Sequence, residues 1–373
     1  MRIGVNALYL IPGGVGGTEI YLRHLLRALA AIDAKNEYVV FTNIETGADI
    51  APPSPRFRVL RLGVRAALRP ARIVWEQTAL PLAARRARLD VLLNPGFTAP
   101  VAPPCPNVTV FHDLQHKRHP EYFRWFDLPA WRFFLWAAAH RSALVLADSE
   151  PTRADLLSYY GLPESKVRLV PLGADPRFFE IAAAAREPKP YILCASTLHP
   201  HKNLVALIRA FSALRRKRPE YSLVITGVRG FHTRAVEAAI DESGVRGSVR
   251  LTGWIEREEL YALFRDAWAF VYPSTFEGFG LPVVEALAAG LPTACSAVEP
   301  INSIAGDAAL KFDPLDAGAL EAALERIAAD GELRSRLAAA GPARAREFSW
   351  ERTAGLTLAA LEEAACSRAA RPL

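Results

Sequence analysis

Short, unbroken apolar runs alternate along the chain with longer stretches in which apolar residues recur every three or four positions. The runs read RIGVNALYL, EYVVFTN, VLLNP, NVTVFHD, LVLADS and VRLVPLG, then YILCAS, SLVITG, VRLTGW, AFVYPS and LPTACS. A strand covered on both faces has no reason to alternate apolar with polar residues, so these runs predict parallel strands flanked by helices. The fold class is therefore α/β. Between the two groups lies 171–190, rich in proline and polar residues, with a fresh strand opening at Tyr191. That composition marks a domain boundary. The stretch VRAALRPARIVWEQTALPLAARRARLD reads as helical surface with interleaved arginines. An amphipathic helix from FSWERTAGLTLAALEEAA follows the last strand and is expected to pack back across both domains. The predicted division is 1–175, 190–345 and the closing helix 346–373.

Composition supports two cores, since 51% of 373 residues are apolar. The formal charge of +6 favours anionic partners, but arginine is spread along the chain and nucleic acid is not indicated. Nucleotide phosphates and an acidic membrane surface fit equally well. Cys105, Cys194, Cys295 and Cys366 are far apart with no C-x-x-C pair, which points to neither zinc nor disulfides. MRIGVNALYL enters a strand pattern without a charged leader, so a cytoplasmic chain is expected. The nearest candidate for a membrane span, 133–139, is closed off by Arg132, His140 and Arg141 and falls short of the ~18–20 residues required.

Two glycine-bearing turns carry the chemistry. IPGGVGGTEIYLRHLLRAL, 11–29, follows the first strand and opens a helix with Leu22, Leu25, Leu26 and Leu29 at helical spacing and Thr18 in position to N-cap. Glycines before a helix start let backbone amides approach an anion, so Gly16 and Gly17 suit a phosphate. No G-K-[S/T] follows, and Glu19 stands where a dinucleotide fingerprint needs its third glycine. A turn without a ligand is the plain alternative.

The second turn is STFEGFGLPVVEALAAG, 274–290, where Glu277 and Glu285 stand eight positions apart around a helix start marked by Pro282. The amides of Phe279, Gly280 and Leu281 point out of that start and suit a diphosphate, with Glu285 placed in the first turn. A carboxylate accepts hydrogen bonds from two neighbouring hydroxyls, which suits a ribose at one end and a sugar ring at the other. The helix dipole alone would account for Glu285 but not for Glu277.

EGFGLPVVEALAAG resembles the E-x7-E signature of the retaining glycosyltransferases of GT-B type, the large family numbered four. The glycine-rich first loop, VFHDL at 110–114, ADSEPTRADLLSYYGLPESKVRLVPLGAD, LHPHKNL at 198–204 and FSWERT match in order, so the similarity spans nearly the whole chain. The resemblance implies two Rossmann-like domains and a nucleotide-diphosphate sugar donor. By it, Glu277 meets the donor sugar hydroxyls, Glu285 holds the ribose and Lys202 neutralises the diphosphate. Gly16 and Gly17 meet that diphosphate from the other domain, and His112 lies beside donor sugar and acceptor. Many members place an arginine before the lysine, whereas Ser196-Thr197-Leu198 stands here, as in a branch reading G-T-L-x-P-R-K-N. Ser196 and Thr197 count with the donor-binding residues, and Lys202 carries the phosphate charge. His201, which replaces an arginine, is either a protonated helper or an exposed side chain.

His112 and Asp113 fall at a strand's C-terminal end, where open α/β sheets present ligand groups, although a lone histidine is often structural. His116 and His119 read as loop surface, and His199 is left open. Gly227, Arg229 and Trp254 are candidates to meet the base, with Trp254 equally suited to a core or edge role. HKRHPEYFRWFDLPAWRFFLWAAAHR, 116–141, mixes basic and aromatic residues. It suits either a helix pair in the first core or a peripheral contact on the inner face of an acidic membrane.

The expected reaction moves a hexose, GDP-mannose-like by branch resemblance, to a hydroxyl of a glycan or lipid-linked acceptor with retention, in surface polysaccharide synthesis. No D-x-D motif occurs in a suitable loop, so no metal and no cofactor are expected. The rivals are an epimerase or phosphorylase on the same scaffold and a non-catalytic nucleotide-sugar-binding module. An oxidoreductase is disfavoured by the incomplete glycine fingerprint.

Overall fold

The computed structural model describes residues 1–14, 16–185 and 187–369. They separate into two compact units, one formed by the chain up to Leu172 together with the chain from Trp350 on, the other by Gly173–Ser349. The first holds seven parallel strands: β1 Arg2–Asn6, β2 Glu37–Thr42, β3 Phe57–Arg61, β4 Val91–Asn94, β5 Asn107–Phe111, β6 Leu144–Ala147 and β7 Val167–Leu169. Their order across the sheet is β3-β2-β1-β4-β5-β6-β7. The second holds β8 Lys189–Ala195, β9 Ser222–Thr226, β10 Val249–Gly253, β11 Ala267–Tyr272, β12 Thr293–Ser296 and β13 Leu310–Phe312, ordered β10-β9-β8-β11-β12-β13. Both orders reverse once, between β1 and β4 and between β8 and β11. These are two Rossmann-like sheets.

Helix Leu204–Lys217 shows why the pattern folds this way. Leu204, Leu207, Ile208, Phe211 and Leu214 form one stripe at helical spacing, and that stripe packs on Ile192, Cys194, Leu223 and Ile225 of the sheet. Each such side chain stabilises the unit by roughly 1.5–3 kcal/mol when fully buried.

Several expectations need correction. The edge strands β3 and β13 went unread, because β3 is half exposed and carries Arg58 and Arg61 and β13 spans only Leu310–Phe312. The chain divides after Leu172, and the proline-rich segment beyond it contains helix Pro176–Ala183, which Asp175 caps and which buries Phe178 and Ile181. The arginine-laced stretch forms helices Arg69–Gln77 and Ala79–Arg86, and it is not all surface: Arg72 and Glu76 are buried. The closing helix starts at Trp350 and packs on helix Gly17–Ile32 and on β4 and β5 of the first unit. Among the described residues no two cysteines are joined, and no helix is long and apolar enough to cross a membrane.

Candidate active site

Where sheet order reverses, the loops leaving two neighbouring strands part to opposite faces and open a crevice at the strand ends. In the second unit those loops follow β8 and β11. The first carries Lys202 at the end of the 3₁₀ turn Pro200–Lys202, and the second carries Glu277. They are latched together, since the Thr275 amide and the Ser274 hydroxyl both donate to the His201 carbonyl, at 2.7 and 3.0 Å. Asn203, left-handed at φ 55°, ends the turn and donates to the Pro314 carbonyl at 2.9 Å.

The latch brings Lys202 Nζ to 2.5 Å from Glu277 Oε1, with side chains only 12% and 10% exposed. A third group joins them: Lys202 Nζ donates to Tyr272 Oη at 3.0 Å, and Tyr272 Oη donates to Glu277 Oε1 at 2.9 Å. Burial pushes the Glu277 carboxyl up, but Lys202, then His201, outweigh it and hold the group below its ordinary range. Burial, then Glu277, keeps the Tyr272 hydroxyl protonated far above its usual range. Sequence reasoning missed Tyr272. The available signal was its place as the last residue of the strand that feeds the Glu277 loop.

Helix Leu281–Ala288 begins beside this pair, with Gly280 at φ 105° as N-cap. A helix start leaves amide hydrogens without intrahelical acceptors, and Gly280 permits the turn that directs them outward. Phe279 is buried edge-on against Phe348, with ring centroids 5.9 Å apart. Glu285 lies in the second turn of this helix rather than the first, and only 4% of it is exposed. Arg257 Nη1 stands 3.5 Å from its Oε1, while Arg257 Nη2 donates to Asp175 Oδ2 at 2.7 Å. Burial raises the Glu285 carboxyl to about 7, with Arg257 opposing and Asp175 adding to the rise.

Ser196 and Thr197 open the loop after β8, and the Ser196 amide donates to Thr226 at the end of β9. A side chain on Gly227, which sits at φ 147°, would collide with the Ser196 carbonyl, so this glycine serves the close approach of two loops. Trp254, just past β10, is 52% exposed, and Arg229 pairs with Glu237 at 3.2 Å. Burial, then Lys202 and His232, lowers the pKa of His199, whose ring meets Phe231 edge-on at 4.5 Å.

In the first unit, helix Gly17–Ile32 starts one residue before Thr18 and is capped by Gly16 at φ 60°, so Thr18 is not the N-cap. Glu19, the residue that spoiled the fingerprint, accepts from the Gly13 amide at 2.8 Å and from Arg23 Nε at 2.8 Å, bracing the loop. His112 is the first residue past β5. Parallel register sets Phe111 beside Ala147, so one position further His112 meets Asp148, with Nδ1 2.6 Å from Oδ2. Its Nε2 meets the carbonyl of Pro95, the first residue past β4, at 2.9 Å. A carbonyl only accepts, so Nε2 is the donor to Pro95 and Nδ1 shares a proton with Asp148, whose own carboxyl is raised by burial against the opposing pull of His112. Burial lowers its pKa, but Asp148 and the Pro95 carbonyl reverse that and raise it. Three adjacent strands thus each contribute their first following residue. Asp148 was legible in principle, since NVTVFHD and LVLADS end alike. His116, expected on the surface, is buried with Nε2 2.7 Å from Tyr160 Oη, because its helical turn faces inward. His119 lies 3.0 Å from Glu121 and is part-exposed.

Two parallel sheets with ionic side chains gathered at their strand ends define a GT-B fold. Residues 177–344 match the family described as glycosyl transferases group 1, and residues 15–178 match Glycosyltransferase Family 4. The chain belongs to this family and is a glycosyltransferase. It is 30% identical over 254 residues to O-antigen chain mannosyltransferase B of Escherichia coli, covering 65% of this chain and 67% of that one. It is 28% identical to the MMP α-(1→4)-mannosyltransferase of Mycolicibacterium hassiacum, over 98% of both. Sucrose-phosphate synthase from Thermosynechococcus elongatus superposes with a TM-score of 0.79 at 22% identity, over 99% of this chain and 100% of that one.

Proposed function

We propose that the chain transfers a hexose, mannose from GDP-mannose in first place, to a hydroxyl of a glycan or lipid-linked acceptor in surface polysaccharide synthesis, with retention and without a metal. The observation that carries this reading is the Lys202–Glu277–Tyr272 triangle beside the start of helix Leu281–Ala288. Lys202 and the helix-start amides receive the charge that collects on the leaving diphosphate, which is the task a divalent cation performs elsewhere. Glu277, already ionised, grips sugar hydroxyls. The bond from the anomeric carbon to the β-phosphate oxygen breaks, the acceptor oxygen bonds on the same face, and its proton passes to the released phosphate. His112, with both nitrogens engaged, leaves no ring nitrogen open to act as a base toward the acceptor.

The relatives' names speak for mannose, and the same names place the work in O-antigen assembly for one of them. For the acceptor's lipid we read the stretch around helix Leu128–Arg141 as the surface that rests on an acidic membrane from the cytoplasmic side. Trp125 is 83% exposed, and Phe126, Phe133 and Trp136 stand out from the surface next to Arg124 and Arg132. Aromatic rings and arginines suit the headgroup layer. Incubation of the chain with GDP-mannose or UDP-glucose, a lipid-linked sugar acceptor and a chelator tests the whole reading. An α-linked mannosyl product formed in the presence of the chelator is expected. Transfer from UDP-glucose alone, or a β-linked product, defeats the corresponding part.

A further inference from the structure

Arg257, on helix Arg257–Asp266, is the residue that neither the glutamate signature nor the lysine motif includes, yet it joins two buried carboxylates. One is Glu285. The other is Asp175, which caps helix Pro176–Ala183, also accepts from the Tyr261 hydroxyl, and adjoins Ala174, the residue paired with Ser349. One guanidinium therefore serves two acids, so the cluster carries an uncompensated negative charge only when both acids are ionised. By contrast Glu277 has a cation to itself.

We propose that Arg257 and Asp175 are positioning residues for donor binding, acting in opposite senses on the charge with which Glu285 meets the donor. The inference rests on the reading that Glu285 takes the ribose. To accept from two hydroxyls Glu285 must be ionised, because a protonated carboxyl has spent one oxygen as a donor. Arg257 favours that state and holds the carboxylate in place, while Asp175 opposes it by like charge. The other charged or titratable groups around helix Leu281–Ala288 are occupied or neutral. Tyr272 on β11 is protonated, Arg177 is turned to Glu258 and Glu180, and Arg344 of the packed helix Gly331–Ala345 is turned to Glu347 and the carbonyls of Ile304 and Ser303. Burial has set the Glu285 carboxyl to about 7, so a modest change in its two neighbours shifts its charge at neutral pH.

The test is calorimetric titration of the full-length chain with GDP-mannose and UDP-glucose between about pH 6 and about pH 8, in wild type, Arg257→Gln, Arg257→Lys and Asp175→Asn. These donors have diphosphates esterified at both ends, which do not titrate in that range. Wild-type Kd for the donor that binds is expected to fall about tenfold across it, since only the ionised fraction is competent. Arg257→Gln moves the dependence to higher pH and weakens binding about tenfold near neutrality, and Arg257→Lys recovers part of the loss. Asp175→Asn flattens the dependence by moving it lower, while the Asn side chain still caps its helix. Equal weakening at every pH in both variants, or no change in Asp175→Asn, overturns the proposal. In parallel, carboxyl ¹³C resonances of glutamate-labelled chain, assigned with Glu285→Gln, report the titration without any donor. A Glu285 resonance that moves oppositely in the two variants while binding stays flat keeps the ion-pair assignment and removes the donor reading. A resonance indifferent to both variants removes the inference itself.

Discussion

The two glutamates of the second unit sit eight positions apart, both nearly buried, and have opposite electrostatic surroundings. Glu277 lies on a loop, faces its own lysine and accepts a tyrosine hydroxyl. Glu285 lies inside a helix and shares one arginine with Asp175. Burial taxes both, but only the first has enough opposing charge to hold its carboxyl below its ordinary range. A dedicated cation makes a permanent charge, and a shared one makes a charge that responds to pH.

Breaking the Glu277 side is expected to have the largest effect. If Lys202 receives the leaving phosphate as proposed, Lys202→Met lowers kcat/KM about a thousandfold, measured by product formation from labelled donor. It also leaves Glu277 buried without its direct ion-pair partner, which costs the second unit about 3–5 kcal/mol in denaturant unfolding. Activity lost with stability unchanged would mean that the pair is not buried in solution as it is here.

Opposite signs are expected when each glutamate is neutralised, and melting temperature is the measurement. The Glu285 carboxyl is raised on folding, so its favourable contribution is complete below about pH 4.5 and is lost as pH climbs to about 7. Glu285→Gln therefore stabilises the fold by on the order of 3 kcal/mol at about pH 8 and by little at about pH 4, while weakening donor binding. The Glu277 carboxyl is lowered, so its contribution is present above its unfolded value and lost as pH falls through the folded one. Glu277→Gln destabilises at neutral pH. Two variants that shift melting in the same direction would erase the comparison.

A smaller change sharpens it. Tyr272→Phe removes the hydroxyl that links lysine to carboxylate, costing about 1 kcal/mol of stability and several-fold in turnover by loosening the pair. The smallest effect is expected for Trp254→Ala, since its side chain is half in solvent. A change in Kd for UDP-glucose or GDP-mannose beyond about threefold, within roughly 0.7 kcal/mol, would instead give Trp254 a place against the base.

Much of the fold was legible because a strand buried on both faces must be apolar throughout. Eleven runs announced strands, and β3 and β13 escaped because β3 is half exposed with two arginines and β13 spans only three residues, although the edge strands β7 and β10 were read. The turns were legible where one residue type is needed at one position, Gly280 at positive φ and Pro282 in the first turn, and the structure brings Lys202 and Glu277 of their two loops together. Arg257 was not legible, and Tyr272 and Asp148 were signalled only by their places at strand ends, because each meets its partner on a strand or helix distant in the chain.

By itself the sequence determined two parallel sheets, the division of the chain into two halves and the turns that carry Lys202, Glu277 and Glu285, since periodicity and turn chemistry are local properties. Tertiary structure alone decided which charges are neighbours. Reversal of strand order at β8 and β11 set Lys202 against Glu277, and parallel register set His112 against Asp148. A side chain's charge in a buried site depends on what packs beside it, and that information lies in the contacts between elements rather than in any stretch of chain.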